Sequence, residues 1–445
     1  MQTGTVELII AYMGYNPKEY KDLFPLGLFE FKDKPIDTWF DSHRLFALNA
    51  VPQEEYEKVL SPGLKVEKGH IKQGEGFSNF MIFEIDPGKR ALDIKFFKDK
   101  MYYPIEAFEK LKDPKLVTNA GYFYLTDDEE KDPVAPPKVR TGNLVIEDGE
   151  LINIPILDRS AIIILKDGSV NIKFLEARGE LLLNGNRHKW VGSKSKNEGE
   201  SITIYNSSNI DIPIVDDPVM GPSRMAKETY VEANSGYLLA VCKRSDDKYI
   251  IEDISEAKVL INDKDMIMEI SKNPGVKAGD MVEFLSVGGL DLNDVKTAVS
   301  TGPMLFPSYE ETAQQVKKEF SVPDMANPNN PHEETKKLAR GCLVKLKDGR
   351  LCSVLIDGIP QAGDIYPGVT LKELVEFIRV RYPDYESAVA TDPSSSVKVV
   401  FDEEGKIEVF GNLHYLAHKK DESGKLEFWP NGKLGRKFNS ALVVY

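Results

Sequence analysis

The residues best suited to chemistry lie between Arg340 and Ser396. Arg340 leads the apolar run Gly341-Cys342-Leu343-Val344, a second apolar run Val354-Leu355-Ile356 ends in Asp357-Gly358, and the segment closes on Ala390-Thr391-Asp392-Pro393-Ser394-Ser395-Ser396. Two buried strands each deliver a carboxylate at their end, which is how a rigid sheet presents acids to a cleft. An arginine at such an edge can hold a single phosphate, and clustered carboxylates attract a divalent cation where no arginine neutralises them. Either Asp taken alone reads more simply as the start of a turn.

Thr370 and Glu373 form a capping box ahead of the apolar stripe Leu371, Leu374, Val375 and Ile378, which predicts a helix from Thr370 to Val380, stopped by Pro383. A strand, a helix and a second strand form a crossover unit that can set the two strands side by side. On that reading Asp357 and Asp392 become neighbours.

The chain has 445 residues, 41% hydrophobic and 29% charged, with a net charge of -14. That length supports a large core and two or three domains. The acidic balance argues against nucleic acid as a partner, because no basic excess is available to neutralise a phosphate track. The three cysteines, Cys242, Cys342 and Cys352, cannot form a disulfide framework and read as buried structural thiols. No apolar run of about 18 residues predicts a membrane span, and Met1 does not lead a signal-like segment. The compartment stays open: secreted or cell envelope if a leader has been trimmed, otherwise cytoplasmic.

Residues 1–75 read as an N-terminal extension, with a strand at Val6-Glu7-Leu8-Ile9-Ile10, an aromatic-rich stretch from Leu23 to Phe31 and a short helix near Glu54 to Leu60. Residues 76–445 read as the main domain. There, strands at Phe80–Ile85 and Leu92–Phe97 precede a helix from Ile105 to Lys112 and the run Leu116-Val117-Thr118-Asn119-Ala120-Gly121-Tyr122, in which a glycine inside a strand marks a bulge or a close approach. Asp148-Gly149, Asp167-Gly168, Asp348-Gly349 and Glu404-Gly405 predict hairpins, Thr301-Gly302-Pro303 interrupts another strand, and Glu310 to Phe320 predicts a helix. The expected class is α+β, a strand-rich mixed sheet with a few flanking helices.

The order of these pieces resembles the phosphodiester glycosidase domain family, whose animal member uncovers mannose 6-phosphate by removing a covering N-acetylglucosamine. The likeness spans roughly residues 78–445. Asn119-Ala120-Gly121-Tyr122-Phe123 is similar to the family's Asn-Ala-Gly-Phe-Phe, and Thr301-Gly302-Pro303 to its Gly-Gly-Pro. Arg340 matches the Arg of Arg-Thr-Ala-Ile-Gly, Asp357-Gly358 matches Asp-Gly-Arg, and the Thr370 helix matches Thr-Leu-x-Glu-Leu. Asp392 and Ser396 occupy the ends of an Asp-Gly-Gly-Gly-Ser, and Arg436 matches an Arg before Val-Ala-Asn-Ala-Leu. Departures are Pro393-Ser394-Ser395 in place of the glycine triplet, Ile359 and Gly341 in place of an Arg and a Thr, and Ser440 in place of the C-terminal Asn. A proline in a glycine loop removes a donor and narrows the backbone.

The resemblance implies a hydrolase that cleaves the bond between a sugar anomeric carbon and a phosphodiester oxygen of a sugar-phosphodiester or polysaccharide. It implies Asp357 and Asp392 as the carboxylates and Arg340 as the phosphate ligand. Asn119, Gly121, Gly302, Gly358, Ser396 and Arg436 would form the substrate site. No cofactor is required, with room for a divalent cation between the two carboxylates. The alternative is an inactive sugar-phosphate- or glycan-binding protein, or one acting in envelope or exopolysaccharide maturation. His414 and His418 have the helical i, i+4 spacing of a metal pair but lack the glutamate of a zinc protease motif.

Overall fold

The strand Arg340–Leu346 is apolar from Gly341 to Val344, as suits a strand with both faces buried. Successive side chains point to opposite faces: Leu343 joins one core, with Met81, Phe83, Leu355 and Val389, while Cys342 and Val344 join another, with Leu371, Leu374, Val375 and Ile378 of a helix. The computed structural model describes residues 52–98, 101–124, 140–141, 143–195, 202–206, 230–245, 248–261, 264–272, 275–319, 336–358, 364, 366–411, 418–420, 426–428 and 437–445. Three helices occur among them, Pro104–Lys110, Tyr309–Glu319 and Leu371–Arg381. None is long and apolar enough to cross a membrane.

A seven-stranded sheet is ordered Tyr56–Ser61, Leu64–Gln73, Gly76–Ile85, Leu351–Ile356, Arg340–Leu346, Tyr385–Ala390, Met304–Leu305. Two five-stranded sheets pack on one of its faces. One contains Leu116–Asn119 between Lys398–Glu403 and Ser440–Val444, and the other contains Arg159–Leu165 between Val170–Leu175 and Val295–Ser300. Residues of all three sheets share a core that includes Phe83, Leu116, Ile162, Leu343, Val399 and Leu442. The second five-stranded sheet also supplies Ala161 and Ile163 to a further core. That core is shared with a closed barrel of seven strands lying between Arg178 and Phe284.

Three expectations change. The fold is mostly β, built from antiparallel pairs, and among the described residues the one parallel ladder joins Trp190–Gly192 to Ile202–Ile204; the α+β mixed sheet is met only in being strand-rich with flanking helices. Tyr56–Ser61 is a strand paired to Leu64–Gln73, not a helix: its Glu and Lys residues favour helix weakly, and an available sheet edge outweighs that preference. Residues 56–73 thus add two strands to the seven-stranded sheet. Finally, the Asp357 and Asp392 strands are not adjacent. The Asp348-Gly349 hairpin folds Arg340–Leu346 back along Leu351–Ile356, and Tyr385–Ala390 pairs on its other side. The strand of Val6 to Ile10 and the aromatic stretch from Leu23 lie outside the described residues.

Candidate active site

Because Arg340 pairs with Ile356 and Cys342 with Ala390, the start of one strand and the ends of its two neighbours lie at one edge of the sheet. Asp357, Arg340 and Asp392 therefore occur side by side there, with the arginine strand between the two acids. Two strand spacings place the acid-bearing strands about 9–10 Å apart. The Thr391 N–H donates to the Gly341 carbonyl at 2.9 Å, which fixes Asp392 beside Arg340.

Arg340 is 2% exposed. Its Nε donates to the Val369 carbonyl at 2.9 Å and its NH2 to the Lys336 carbonyl at 3.0 Å. Among the described residues no carboxylate forms an ion pair with it, and burial pulls its pKa down to about 10. A buried cation held only by neutral oxygens is costly, and an incoming anion relieves that cost.

The two acids differ. Asp357 is 2% exposed; its Oδ1 accepts from the Gly358 N–H at 2.8 Å and its Oδ2 from the Tyr366 hydroxyl at 3.2 Å. Burial and the Asp357 charge together push the Tyr366 hydroxyl well above its usual range, so it stays a donor. Asp392 is only half-buried. Its Oδ2 accepts from the buried Ser396 hydroxyl at 2.6 Å across the short 3-10 turn Ser394–Ser396. Ser394 in this turn has φ +60°, a conformation favouring glycine, so the departure from the glycine triplet retains a glycine-like backbone. Gly358 is also constrained, since a Cβ there would collide with the Gly368 backbone.

From the second sheet, Leu116–Asn119 delivers Asn119, 3% exposed, with no hydrogen-bond partner for either Oδ1 or Nδ2 among the described residues. Such a buried amide costs about 1–3 kcal/mol until something satisfies it. Asn119 and Ser396 line one cavity of about 10 Å³ together with Thr391, space for a single water. Gly121 is required by packing, since a Cβ would lie 2.6 Å from Val299 Cγ2 and 2.9 Å from the Ser300 carbonyl.

The third sheet brings the Gly302 turn. Gly302 has φ +138°, and its N–H donates to the Ala390 carbonyl at 2.9 Å. Its carbonyl accepts from the Tyr122 hydroxyl at 2.9 Å. Glu319, at the end of its helix, holds this turn from behind: its carboxylate accepts from Ser160 N and Oγ at 3.0 and 2.6 Å, Met304 N at 2.9 Å and Gln315 Nε2 at 3.0 Å. Burial raises its pKa against the opposing pull of those donors. Tyr122 is raised well above the usual tyrosine range, first by burial and then by the charge of Asp392, with Arg159 and Arg340 acting in the opposite sense.

The structure thus gathers Arg340, Asp392, Ser396, Asn119, Gly121 and Gly302 where three sheets end, with Asp357 and Gly358 one strand further along. Arg436 and His414 lie outside the described residues, and His418 sits in the strand His418–Lys420, so helical metal spacing does not apply to it. Among the described residues no group of three or more His, Cys, Asp or Glu is placed to hold a metal ion. Sequence reasoning passed over Tyr122, Arg159, Glu319 and Tyr366. Arg159 carried one signal, a lone arginine leading an apolar strand, as Arg340 does; Glu319 and Tyr366 carried none.

No protein-family model and no curated protein matches the chain. Solved structures do. A hypothetical protein from Synechocystis is 13% identical over 88% of this chain, with a TM-score of 0.53, and the match spans 64% of that protein's length. A Burkholderia pseudomallei protein described as exported is 14% identical over 83% of this chain and 74% of its own, with a TM-score of 0.48. The zebrafish N-acetylglucosamine-1-phosphodiester alpha-N-acetylglucosaminidase catalytic domain, auto-inhibited by its pro-peptide, is 12% identical over 94% of this chain and 97% of its own, with a TM-score of 0.43. The chain is therefore a distant relative in fold of the Synechocystis protein, and the likeness extends to fold alone.

Proposed function

We propose that the protein is a glycoside hydrolase that cleaves the bond between a sugar anomeric carbon and a phosphodiester oxygen. The observation that carries this reading is the placement, at neighbouring strand ends, of a half-buried carboxylate, Asp392, and a buried arginine that forms no ion pair among the described residues, Arg340. The motif order resembling the phosphodiester glycosidase family supports it.

Cleavage at an anomeric carbon needs a carboxylate to attack or to activate water, and a cation for the departing phosphate. Asp392 takes the first role because its carboxylate is the more accessible of the two and is oriented by Ser396. Arg340 takes the second, where burial strengthens its field. Arg340 supplies positive charge at the phosphate, which leaves a divalent cation an optional addition rather than a requirement of this reading. Ser396 orients the Asp392 carboxylate, and Asn119, in the water-sized cavity beside it, supports the site through hydrogen bonding. Asp357, with both oxygens engaged, supports the edge of the site rather than the attack.

Release of sugar from a panel of sugar-1-phosphodiesters tests the reading, with Asp392→Asn as control. Release that disappears in the variant supports it. The second reading, a binding protein without turnover, draws on Pro393, which removes one backbone donor beside Asp392. Sugars that bind but are never released would establish it.

A further inference from the structure

Arg159 opens the strand Arg159–Leu165 and is buried where the sheets meet. Its setting repeats that of Arg340: one arginine leads Ser160-Ala161-Ile162-Ile163-Ile164, the other leads Gly341-Cys342-Leu343-Val344. The two come from different sheets and act on one side chain. The Arg159 guanidinium lies over the Tyr122 ring, 5.4 Å from its centroid, and the Tyr122 hydroxyl lies within the fields of Asp392, Arg159, Glu319 and Arg340. Arg159 NH2 also reaches the Glu319 backbone carbonyl at 3.4 Å, while the Glu319 carboxylate is held by Ser160, Met304 and Gln315.

We infer that Arg159 is a second anion-binding residue of this site, forming with Arg340 a two-arginine clamp for a phosphate group, with Tyr122 as the platform that carries the Arg159 guanidinium. The inference rests on the hydrolase reading for its substrate, a sugar-phosphodiester, but needs only the phosphate for its test. An anion held by two buried guanidiniums is attracted strongly, because the low local dielectric screens the charges little. A guanidinium already lying over an aromatic ring loses little freedom when it binds, and its planar fork suits two phosphate oxygens at once.

Inorganic phosphate is the probe, and calorimetric titration of the full chain is the measurement. Wild type is expected to bind phosphate, and Arg159→Gln to bind it about 10- to 100-fold more weakly, the loss of one or two charge-assisted hydrogen bonds. Arg159→Lys, which keeps the charge but not the fork, should fall between the two. If Arg159→Gln does not fold, weaker binding by Arg159→Lys than by wild type supports the clamp, and equal binding overturns it. Wild type that binds no phosphate also overturns it, as does Arg159→Gln that binds as wild type while Arg340→Gln does not. The sugar-release assay is read separately. Phosphate binding that depends on Arg159 without any release keeps the clamp and removes the hydrolase; release with undiminished phosphate affinity in Arg159→Gln does the reverse.

Discussion

In the barrel between Arg178 and Phe284, strands close on one another around Leu181, Trp190, Ile202, Met268 and Val282. At the junction of the three sheets, strands end instead, and Asn119, Arg159, Glu319, Arg340, Asp357 and Ser396 are buried there. Closure pairs each strand with a neighbour on both sides and leaves an interior that only apolar packing must fill. Converging strand ends leave backbone groups and polar side chains facing one another, and these need partners. Glu319 accepts from Ser160, Met304 and Gln315, and Asp357 from Gly358 and Tyr366, whereas the Asn119 amide has no partner among the described residues. The first region is filled by apolar packing, whereas the second gathers buried polar groups.

Paired substitutions can break that contrast. Asp392→Asn is expected to reduce sugar release by at least about a hundredfold with little change in the denaturation midpoint. Trp190→Ala, at 0% exposure in the barrel, is expected to cost about 3–5 kcal/mol of stability, measured by denaturant unfolding, with release per folded molecule unchanged. A reversal of these two outcomes would dissolve the distinction. Gly302→Ala sharpens it: the backbone sits at φ +138° and an added Cβ would collide with Glu319 Oε2. Strain and overpacking of about 1–3 kcal/mol should follow, together with lower activity as the turn below Tyr122 shifts. Stability and activity that are both retained would show the turn to be adaptable.

A smaller effect concerns Glu319, whose pKa is raised by burial above the ordinary 4.5. The folded chain keeps this proton at pH values where the unfolded chain has lost it, so stability falls as pH climbs from 4.5 toward the raised value. The stability of wild type relative to Glu319→Gln should therefore decline over that window. A flat difference across pH would place Glu319 outside the titrating groups. The smallest effect is at Ser394: Ser394→Gly should stabilise the chain by about 0.5–1 kcal/mol by removing a side chain from a left-handed position, less the added freedom of glycine when unfolded.

Local chemistry was legible in the sequence and long-range placement was not. The capping box forms as read, with Thr370 Oγ1 accepting from the Glu373 N–H at 3.1 Å and Glu373 Oε2 from the Thr370 N–H at 2.7 Å. The Asp-Gly pairs at Asp148, Asp167 and Asp348 turn their hairpins, because each of those glycines has a positive φ. The order of strands around Arg340 depends on which free edge Tyr385–Ala390 meets, a choice made by packing between distant segments. Barrel closure likewise depends on the parallel pairing of Trp190–Gly192 with Ile202–Ile204, which no periodicity announces. Tyr122 was visible as part of a motif, but its neighbours Arg159 and Glu319 come from strands and helices far along the chain.

The barrel interrupts a sheet: Val170–Leu175 precedes it and Val295–Ser300 follows it, yet Ala161 pairs with Ser300. A folding chain that brings those two strands together must close a loop containing the whole barrel, and contacts of such wide separation form slowly. Within the barrel, Leu181 pairs with Phe284, so its entry and exit strands are neighbours. Once closed, it converts a long flexible loop into a short compact spacer. Refolding should therefore be sequential, with the barrel assembling first and the junction around Asp392 completed last.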